Sequence, residues 1–545
     1  MHGREGGDRE GFDARGLSLP AVAAILSVAS VVISGLGVYV ENHAVQVPLV
    51  RWLNDPSLYP GDPFVVALAR YPSALWRLVA LAARVFPLGP LLLALHALSR
   101  LLVIGAAGRL ALAFAPGSRR AATAAMALFA FAVCPFIGAG TLVNFYFEQS
   151  GVAVALLLLA IAAFHEERRV ACGVWLGLAF NANPLYALFA SSYMGTAFLL
   201  DRDYRTTWRS WLPAAGLFAA FSSYTSYLTL SLTGAPPADD ALWLEAARAR
   251  CWRHLFPADW EWGGYAKTAL LAVLFIVVVS RWTGVRTRLG RHAIIWTGVA
   301  AAWLATAFAA AYVFPWPPLL MLQPARALDL WLCFAAIAIF ASSLPAIAIG
   351  TVFVIWMPPG WPVATAALAI PYVRRKLATF LALWVVFVGI HHLANRVMIL
   401  GDVRSAIVNG PEAPVAHIAA WARTNTAKDA SFLVNVGVEP NWDAFRGLSE
   451  RSIYTNWEEG TAIYWDRGFV TEWARRLSDI GFERHRLGED DPEDVLDRIY
   501  KDLRDDDARS LGRKYGLRYW VVPEIHASGL PTAYERDGYK VLDLR

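Results

Sequence analysis

The 545-residue sequence predicts a polytopic α-helical membrane protein of about thirteen spans with a C-terminal α/β soluble domain. Three observations predict it. Hydrophobic residues make up 57% of the chain and charged residues 17%, with a mean hydropathy of +0.41; a soluble globular chain carries about 25% charge. Apolar runs near the roughly 20 residues that cross a bilayer recur from residue 17 to 400. The charge is also lopsided: residues 401–545 hold 20 Lys+Arg against 26 Asp+Glu, or −6, which leaves 29 against 18, or +11, in residues 1–400. Disorder, a collagen-like fibre and a disulfide-stapled secreted scaffold are excluded on the same composition. The pI of 9.0 does not point to nucleic acid. The basic surplus belongs to membrane topology and the acidic tail to a soluble domain. Cys134, Cys172, Cys251 and Cys333 form no CxxC pair, zinc spacing or evident disulfide framework.

The first span covers about 17–40. Residues 1–15 mix both charge signs and lack the basic n-region and small-residue cleavage site of a signal peptide, so the span reads as retained with the N-terminus cytoplasmic. A polar outer loop, 41–71, follows, then an interfacial helix at 72–85 with Trp76, Arg77 and Arg84 at its polar edge. Further spans fall near 88–114, 121–139, 150–164, 170–182, 185–200, 211–231, 264–280, 292–313, 328–343, 345–357, 361–373 and 377–400. Alternate connections carry Arg119/Arg120, Arg168/Arg169, Arg202/Arg205/Arg209, Arg281/Arg286/Arg288/Arg291 and Arg374/Arg375/Lys376. All five clusters fall on one side, which the positive-inside rule makes cytoplasmic. The opposite connections, 41–71, 140–149, 232–263 and 314–327, are richer in Trp, Pro, Asp and Glu, and the tail lies on their side. Two domains result: 1–400 in the membrane and 401–545 outside.

The tail alternates helix and strand: a helix at 415–424, strands at 431–436 and 451–454, a helix at 469–480, and one long amphipathic helix at 494–515. Strands at 517–522 and 539–544 complete a small parallel or mixed sheet.

No soluble-enzyme motif is present: GxxxxGK[ST], HExxH and GxSxG are all missing. Asp201-Arg-Asp203 spells DxD but sits in an arginine-bearing turn, where a solvated charge cluster is the simpler reading. The acidic run 489–497 lacks EF-hand spacing and suits a helix N-terminus, where carboxylates oppose the positive dipole end. No metal ligand set emerges, and no cofactor is called for, although the chemistry accommodates a divalent cation.

The first outer loop offers Glu41, His43, Asp55 and Asp62 just beyond the first span. A carboxylate at the membrane–water boundary can act as general base on an acceptor hydroxyl while a lipid-borne substrate enters sideways. The blander reading makes Asp55-Pro and Gly61-Asp62-Pro turns and Glu41 and His43 the end of a span. Glu148 and Asn144 in the second outer loop, Arg253 and His254 in the third, and Gln323 and Arg326 before the span at 328 are further outward polar groups. An outer arginine suits a phosphate or pyrophosphate, or else snorkels at the interface. Asn181-Ala-Asn183-Pro184 reads as a turn between short spans. His391-His392 in the last span reads as hydrogen-bonding neighbouring helices.

An acidic first outer loop, about a dozen spans with short basic turns, and an outer C-terminal α/β domain together resemble the GT-C superfamily of integral membrane glycosyltransferases. Stretches of wording are similar to uncharacterised bacterial GT-C-like proteins: Asp55-Pro-Ser-Leu-Tyr-Pro-Gly-Asp62, Ala420-Trp-Ala-Arg-Thr-Asn-Thr-Ala-Lys-Asp-Ala-Ser-Phe-Leu433, and Phe445-Arg446 before Ser449-Glu-Arg-Ser452. The resemblance implies inverting sugar transfer from a polyprenyl-phosphate-linked donor to an envelope glycan or lipid acceptor, at the outer face of a bacterial inner membrane. It implies that the catalytic carboxylate is one of Glu41, Asp55 and Asp62: Glu41 matches by position and Asp62 by wording. His43, Glu148, Arg253, His254, Gln323 and Arg326 would bind substrate. No Asp-Glu or DxD pair follows the first span, as it does in several characterised branches. Two other classes stay open. A transporter or flippase of lipid-linked glycans would place charges midway through spans and show repeat symmetry; a catalytically inactive scaffold would scatter the outer polar groups.

Overall fold

The computed structural model describes residues 17–131, 144–231, 239–284, 286–342, 346–356, 361–368, 370–400, 405, 407–437, 442–488 and 491–545. The expectations for residues 1–15, for the stretch 132–143 that includes Cys134, for the start of the third outer loop at 232–238, for the side chains of Arg374 and Arg375, and for Glu489 lie outside the described residues.

The bundle opens with α1 (Leu19–Ser34), capped by the Ser18 hydroxyl on Ala21 N and started by a proline in its first turn. A short strand, β1 (Leu36–Gly37), leads into the outer helices α2 (His43–Asn54), α3 (Pro63–Leu68) and α4 (Ala74–Ala82). Then come α5 (Leu88–Phe114), α6 (Arg119–Phe131), α7 (Gln149–His165), α8 (Arg169–Ala182), α9 (Pro184–Leu200), α10 (Arg202–Thr206) and α11 (Leu212–Ser231). The outer helix α12 (Asp240–Leu255) is followed by α13 (Trp262–Val278), α14 (Arg288–Phe308), α15 (Pro317–Leu320), α16 (Ala327–Ala341), α17 (Ala346–Trp356), α18 (Trp361–Ala367), α19 (Pro371–Arg375) and α20 (Leu377–Leu400).

Among the described residues, five helical stretches are long and apolar enough to cross a membrane: Leu88–Phe114, Trp262–Arg281, Arg288–Val313, Pro317–Ala341 and Thr379–Met398. Other expected spans are shorter apolar helices, Leu19–Ser34, Gln149–His165, Arg169–Ala182 and Pro184–Leu200. Local chemistry cuts them short: Asn183 ends α8 and accepts from Leu185 N (3.1 Å) to start α9, as its Asn-Pro spelling predicts. The expected interfacial helix is α4, but Trp76 is 0% exposed, sealed in the core rather than at a polar edge. Close packing needs glycine at the α8–α11 crossing: a Cβ on Gly173 would run into the Ala214 backbone.

One end of the bundle collects the arginine turns. Arg291 Nε pairs with Asp201 (2.8 Å) and its Nη2 with Asp203 (2.7 Å). Arg109 meets Glu166, and Arg288 Nη2 meets Glu167 at 2.5 Å. Asp201 also caps α10 through Asp203 N, so the DxD spelling is a helix cap and an ion-pair cluster.

The opposite end carries the tail and the loops that the arginine pattern expects outside. The tail runs β2 (Val408–Asn409), α21 (Ala413–Asn425), β3 (Ser431–Leu433), α22 (Phe445–Ser449), β4 (Ser452–Ile453), α23 (Phe469–Asp479), α24 (Pro492–Lys501), α25 (Asp505–Tyr515), β5 (Tyr519–Pro523), β6 (Thr532–Arg536) and β7 (Tyr539–Asp543). Its sheet has the order β4-β3-β5-β7-β6, with β3 parallel to β4 and β5 and the last three strands antiparallel. The helix expected at 494–515 is two helices. Asp491 caps the first, and a second acidic start, Asp505-Asp506-Asp507, opens the other. Strand β6 escaped the sequence reading because its exposed alternation, Thr-Ala-Tyr-Glu-Arg, buries no apolar face.

The tail does not stand apart from the bundle. β1 pairs in parallel with β2. A single apolar core joins Val47, Phe64 and Trp76 of the first outer loop and its flank, Trp243 of α12, and Leu433, Trp473 and Trp520 of the tail.

Candidate functional site

Helix α1 ends at Gly35 (φ +82°), and the chain then turns twice in left-handed conformation, at Tyr39 (φ +58°) and Glu41 (φ +49°). Such backbone is uncommon away from glycine and is held by its surroundings. Here the holder is His43. Its Nδ1 accepts from Tyr39 N (3.0 Å), and its Nε2 donates to Phe147 O (3.0 Å), clipping the first outer loop to the second. That pattern assigns the proton to Nε2. His43 is 1% exposed, and burial lowers its pKa to about 4. It shapes the backbone beneath Glu41, with both ring nitrogens engaged by the main chain.

Glu41 is thereby aimed at the seam between bundle and tail. It stays open to solvent, yet it is surrounded closely enough that burial raises its carboxyl pKa, against the opposing fields of Arg250 and Arg253. Asp443 of the tail faces the same group of charges. Burial raises it to about 7, with Arg250 opposing and Glu493, Glu459 and Glu41 adding to the rise. Asn456 Nδ2 donates to Asp443 at 2.8 Å.

Arg326 forms the other half of the seam. Its turn begins at Gln323, again left-handed (φ +48°), whose Oε1 accepts from Arg326 Nη1 at 2.9 Å. Arg326 Nη2 donates to the Tyr186 hydroxyl (3.0 Å), which donates to Asp329 Oδ2 (2.6 Å). The guanidinium carbon lies 4.9 Å from the Tyr186 ring centroid. Glu148 is within the field of Arg326. Burial raises its pKa, Arg326 opposes, and Asn144 Nδ2 donates to it at 2.9 Å. His254 has a pKa driven well below the ordinary value by burial, helped by Arg326, Arg250 and Arg253. Tyr146 lies within the fields of both Glu148 and Glu41, and His254 within those of Arg326, Arg250 and Arg253, which links the two halves electrostatically. Arg326 Nε and His254 Nδ1 are buried there without a hydrogen-bond partner among the described residues. Buried polar atoms are nearly always satisfied. Arg326 Nε does face Asp329 Oδ2, an ion pair at 3.8 Å, while His254 Nδ1 has no such partner among the described residues.

The structure therefore brings together Glu41, Glu148, Arg253, His254, Gln323 and Arg326, with His43 beneath them. It places Asp55 and Asp62 elsewhere. Asp55 is on the surface, paired with Lys428 of the tail (2.7 Å), which with the Ser57 hydroxyl lowers its pKa to about 2. Asp62 is 3% exposed and fully engaged: it caps α3 through Phe64 N (3.0 Å) and Val65 N (3.3 Å), and pairs with Arg446 Nε at 2.9 Å. Arg446 also meets Glu459, and all three are sealed from solvent. Neither carboxylate reaches the seam.

Arg250, Asp443, Tyr186 and Asp329 belong to the site and were not singled out from the sequence. Their partners lie far away in the chain, so no spacing announces them. Among the described residues no group of three His, Cys, Asp or Glu side chains is placed to hold a metal ion.

A domain of unknown function (DUF6798) matches residues 413–480, the part of the tail that holds Asp443, Arg446 and Glu459. No curated protein matches the chain. Among solved structures it is similar to the oligosaccharyltransferase of Archaeoglobus fulgidus, crystallised with zinc and sulfate. The identity is 16% and the TM-score 0.41, over 93% of this chain and 68% of that one. That likeness is too distant to say what this chain does.

Proposed function

We propose that the protein is an integral membrane glycosyltransferase of GT-C type. It moves a sugar from a polyprenyl-phosphate-linked donor to an envelope glycan or lipid acceptor at the outer face of a bacterial inner membrane. The observation that carries this reading is the seam itself: one open carboxylate, Glu41, shares it with Arg326, Arg253 and His254, at the end of the bundle opposite the arginine turns. In this mechanism Glu41 takes the proton of the acceptor hydroxyl as its oxygen attacks the anomeric carbon. The bond from that carbon to the donor phosphate breaks, and its electron pair leaves with the phosphate. Arg326, held on Tyr186, Gln323 and Asp329, meets the growing negative charge, and Arg253 adds to the field. Asp443 and the tail close the seam from outside, which casts the 401–545 region as part of the site rather than an appended domain.

The test is lipid extraction and mass spectrometry of envelope glycolipids from cells carrying the wild type, Glu41→Gln or Asp55→Asn. Removing a general base costs about 10²–10⁴-fold in rate, so Glu41→Gln should abolish the product, while Asp55→Asn should leave it. Full product from Glu41→Gln would sink the mechanism.

A further inference from the structure

The arginine-rich end of the bundle carries a second polar site that the transfer mechanism does not use. A cavity of about 450 Å³ opens there, lined by Arg169, Thr206, Thr207, Trp208, Arg209 and Ser210. It lies where α10 and the short turn Trp208–Trp211 join α9 to α11. Arg209 stacks on Trp208, 5.5 Å from the ring centroid. It has no carboxylate partner among the described residues, nor have the neighbouring Arg202 and Arg205. Arg169 leans on Glu167 at 3.3 Å through Nη2, but its Nε is buried with no acceptor. Its guanidinium carbon lies 5.7 Å from the Trp211 ring centroid. Trp211 is 8% exposed, and its indole N–H also lacks an acceptor. The carboxylates of Asp201 and Asp203 in the same turn are both taken by Arg291. The cavity therefore combines an unsatisfied arginine nitrogen with uncompensated positive charge, beside the buried indole of Trp211.

Its rim is apolar. Val170, Leu199, Leu200 and Leu212 are each more than half exposed, and Trp208 is 49% exposed. A free anion has no use for such a rim, whereas a lipid meets both halves at once, headgroup to the arginines and acyl chains to the leucines. Basic pockets between membrane helices bind anionic headgroups in this way, and tryptophan favours the level of the headgroups.

We propose that this cavity is a binding site for an anionic glycerophospholipid, its phosphodiester held by Arg169 and Arg209 and its chains lying along Leu199, Leu200 and Leu212. The proposal is independent of the seam and its chemistry. It needs only that the arginine-rich end meets a membrane surface.

Native mass spectrometry of the detergent-purified full chain tests it, with added phosphatidylglycerol or phosphatidylcholine of matched chains. Each arginine near an anionic surface contributes roughly a factor of five. Arg169→Gln/Arg209→Gln should therefore weaken phosphatidylglycerol retention about 25-fold, while Arg120→Gln, on the same face but outside the cavity, should leave it unchanged. Should the double variant not fold, the exposed Arg209→Gln alone should lose about fivefold with an unchanged melting temperature. Equal retention of the two lipids, or of phosphatidylglycerol by wild type and variants, would overturn the site. Displacement of phosphatidylglycerol by millimolar inorganic phosphate would overturn the lipid assignment in favour of a simple anion site.

Discussion

Glu41 and His43 divide the labour at the end of the first span: one carries the charge, the other holds the backbone that aims it. Because His43 is buried and neutral, unfolding must charge it below neutral pH. Its folded pKa of about 4 lies under the ordinary 6.5. The unfolded chain therefore binds more protons between those values, and the stability His43 contributes is full above about 6.5 and lost as pH falls toward 4. The difference amounts to about 3 kcal/mol across that window. Melting curves from pH 7 to 4.5 should thus fall less steeply for His43→Gln than for the wild type; parallel slopes would show that His43 is not held neutral. Glu41 titrates in the opposite sense. With its pKa raised, transfer by a Glu41 base should fade on acidification sooner than an exposed carboxylate would allow.

At the scale of elements, α3, α22 and the segment after β4 are tied by one buried cluster, Asp62–Arg446–Glu459. Two carboxylates share one guanidinium, and Thr455 Oγ1 donates to Glu459 at 2.8 Å. Removing one partner of a buried pair leaves an uncompensated charge and costs about 3–5 kcal/mol. Arg446→Met, which leaves two buried carboxylates facing each other, should lower thermal stability by that amount and expose the outer region to limited proteolysis. An unchanged melting temperature would mean the cluster is not sealed in solution. This cluster also shows why Asp62 could not be told from Glu41 in the sequence. Both are loop carboxylates flanked by turn formers, and the arginine that removes Asp62 from the surface lies 384 residues away.

On the scale of the whole molecule, the outer loops and the tail fold as one body above the bundle. Arg51 reaches Glu450 at 3.1 Å and Arg70 reaches Asp466 at 3.0 Å. Trp465 Nε1 donates to Ala67 O at 3.0 Å, and Trp243 Nε1 to Ile463 O at 3.3 Å. A chain truncated after residue 400 would expose the Val47, Phe64 and Trp243 side of that core. It should therefore aggregate or fail to accumulate in membranes, as size-exclusion chromatography with in-gel detection would read. A monodisperse truncated chain with the parent's melting temperature would show two independent domains.

Hydrophobic runs, alternating arginine turns and an acidic tail are properties of the chain in one dimension. The cost of putting polar groups into lipid fixes them locally, so the helical bundle, its two unlike ends and the α/β character of the tail were legible in the amino-acid order. So were the positions of Glu41, Glu148 and Arg326 at the ends of apolar runs. Which outer carboxylate stays open was decided only in three dimensions. The tail packs down on the first loop, so Asp55 finds Lys428 and Asp62 finds Arg446 within ion-pair reach, while Glu41 is left open in the field of Arg250 and Arg253 on α12. Packing, not spacing, chose among three similar acids.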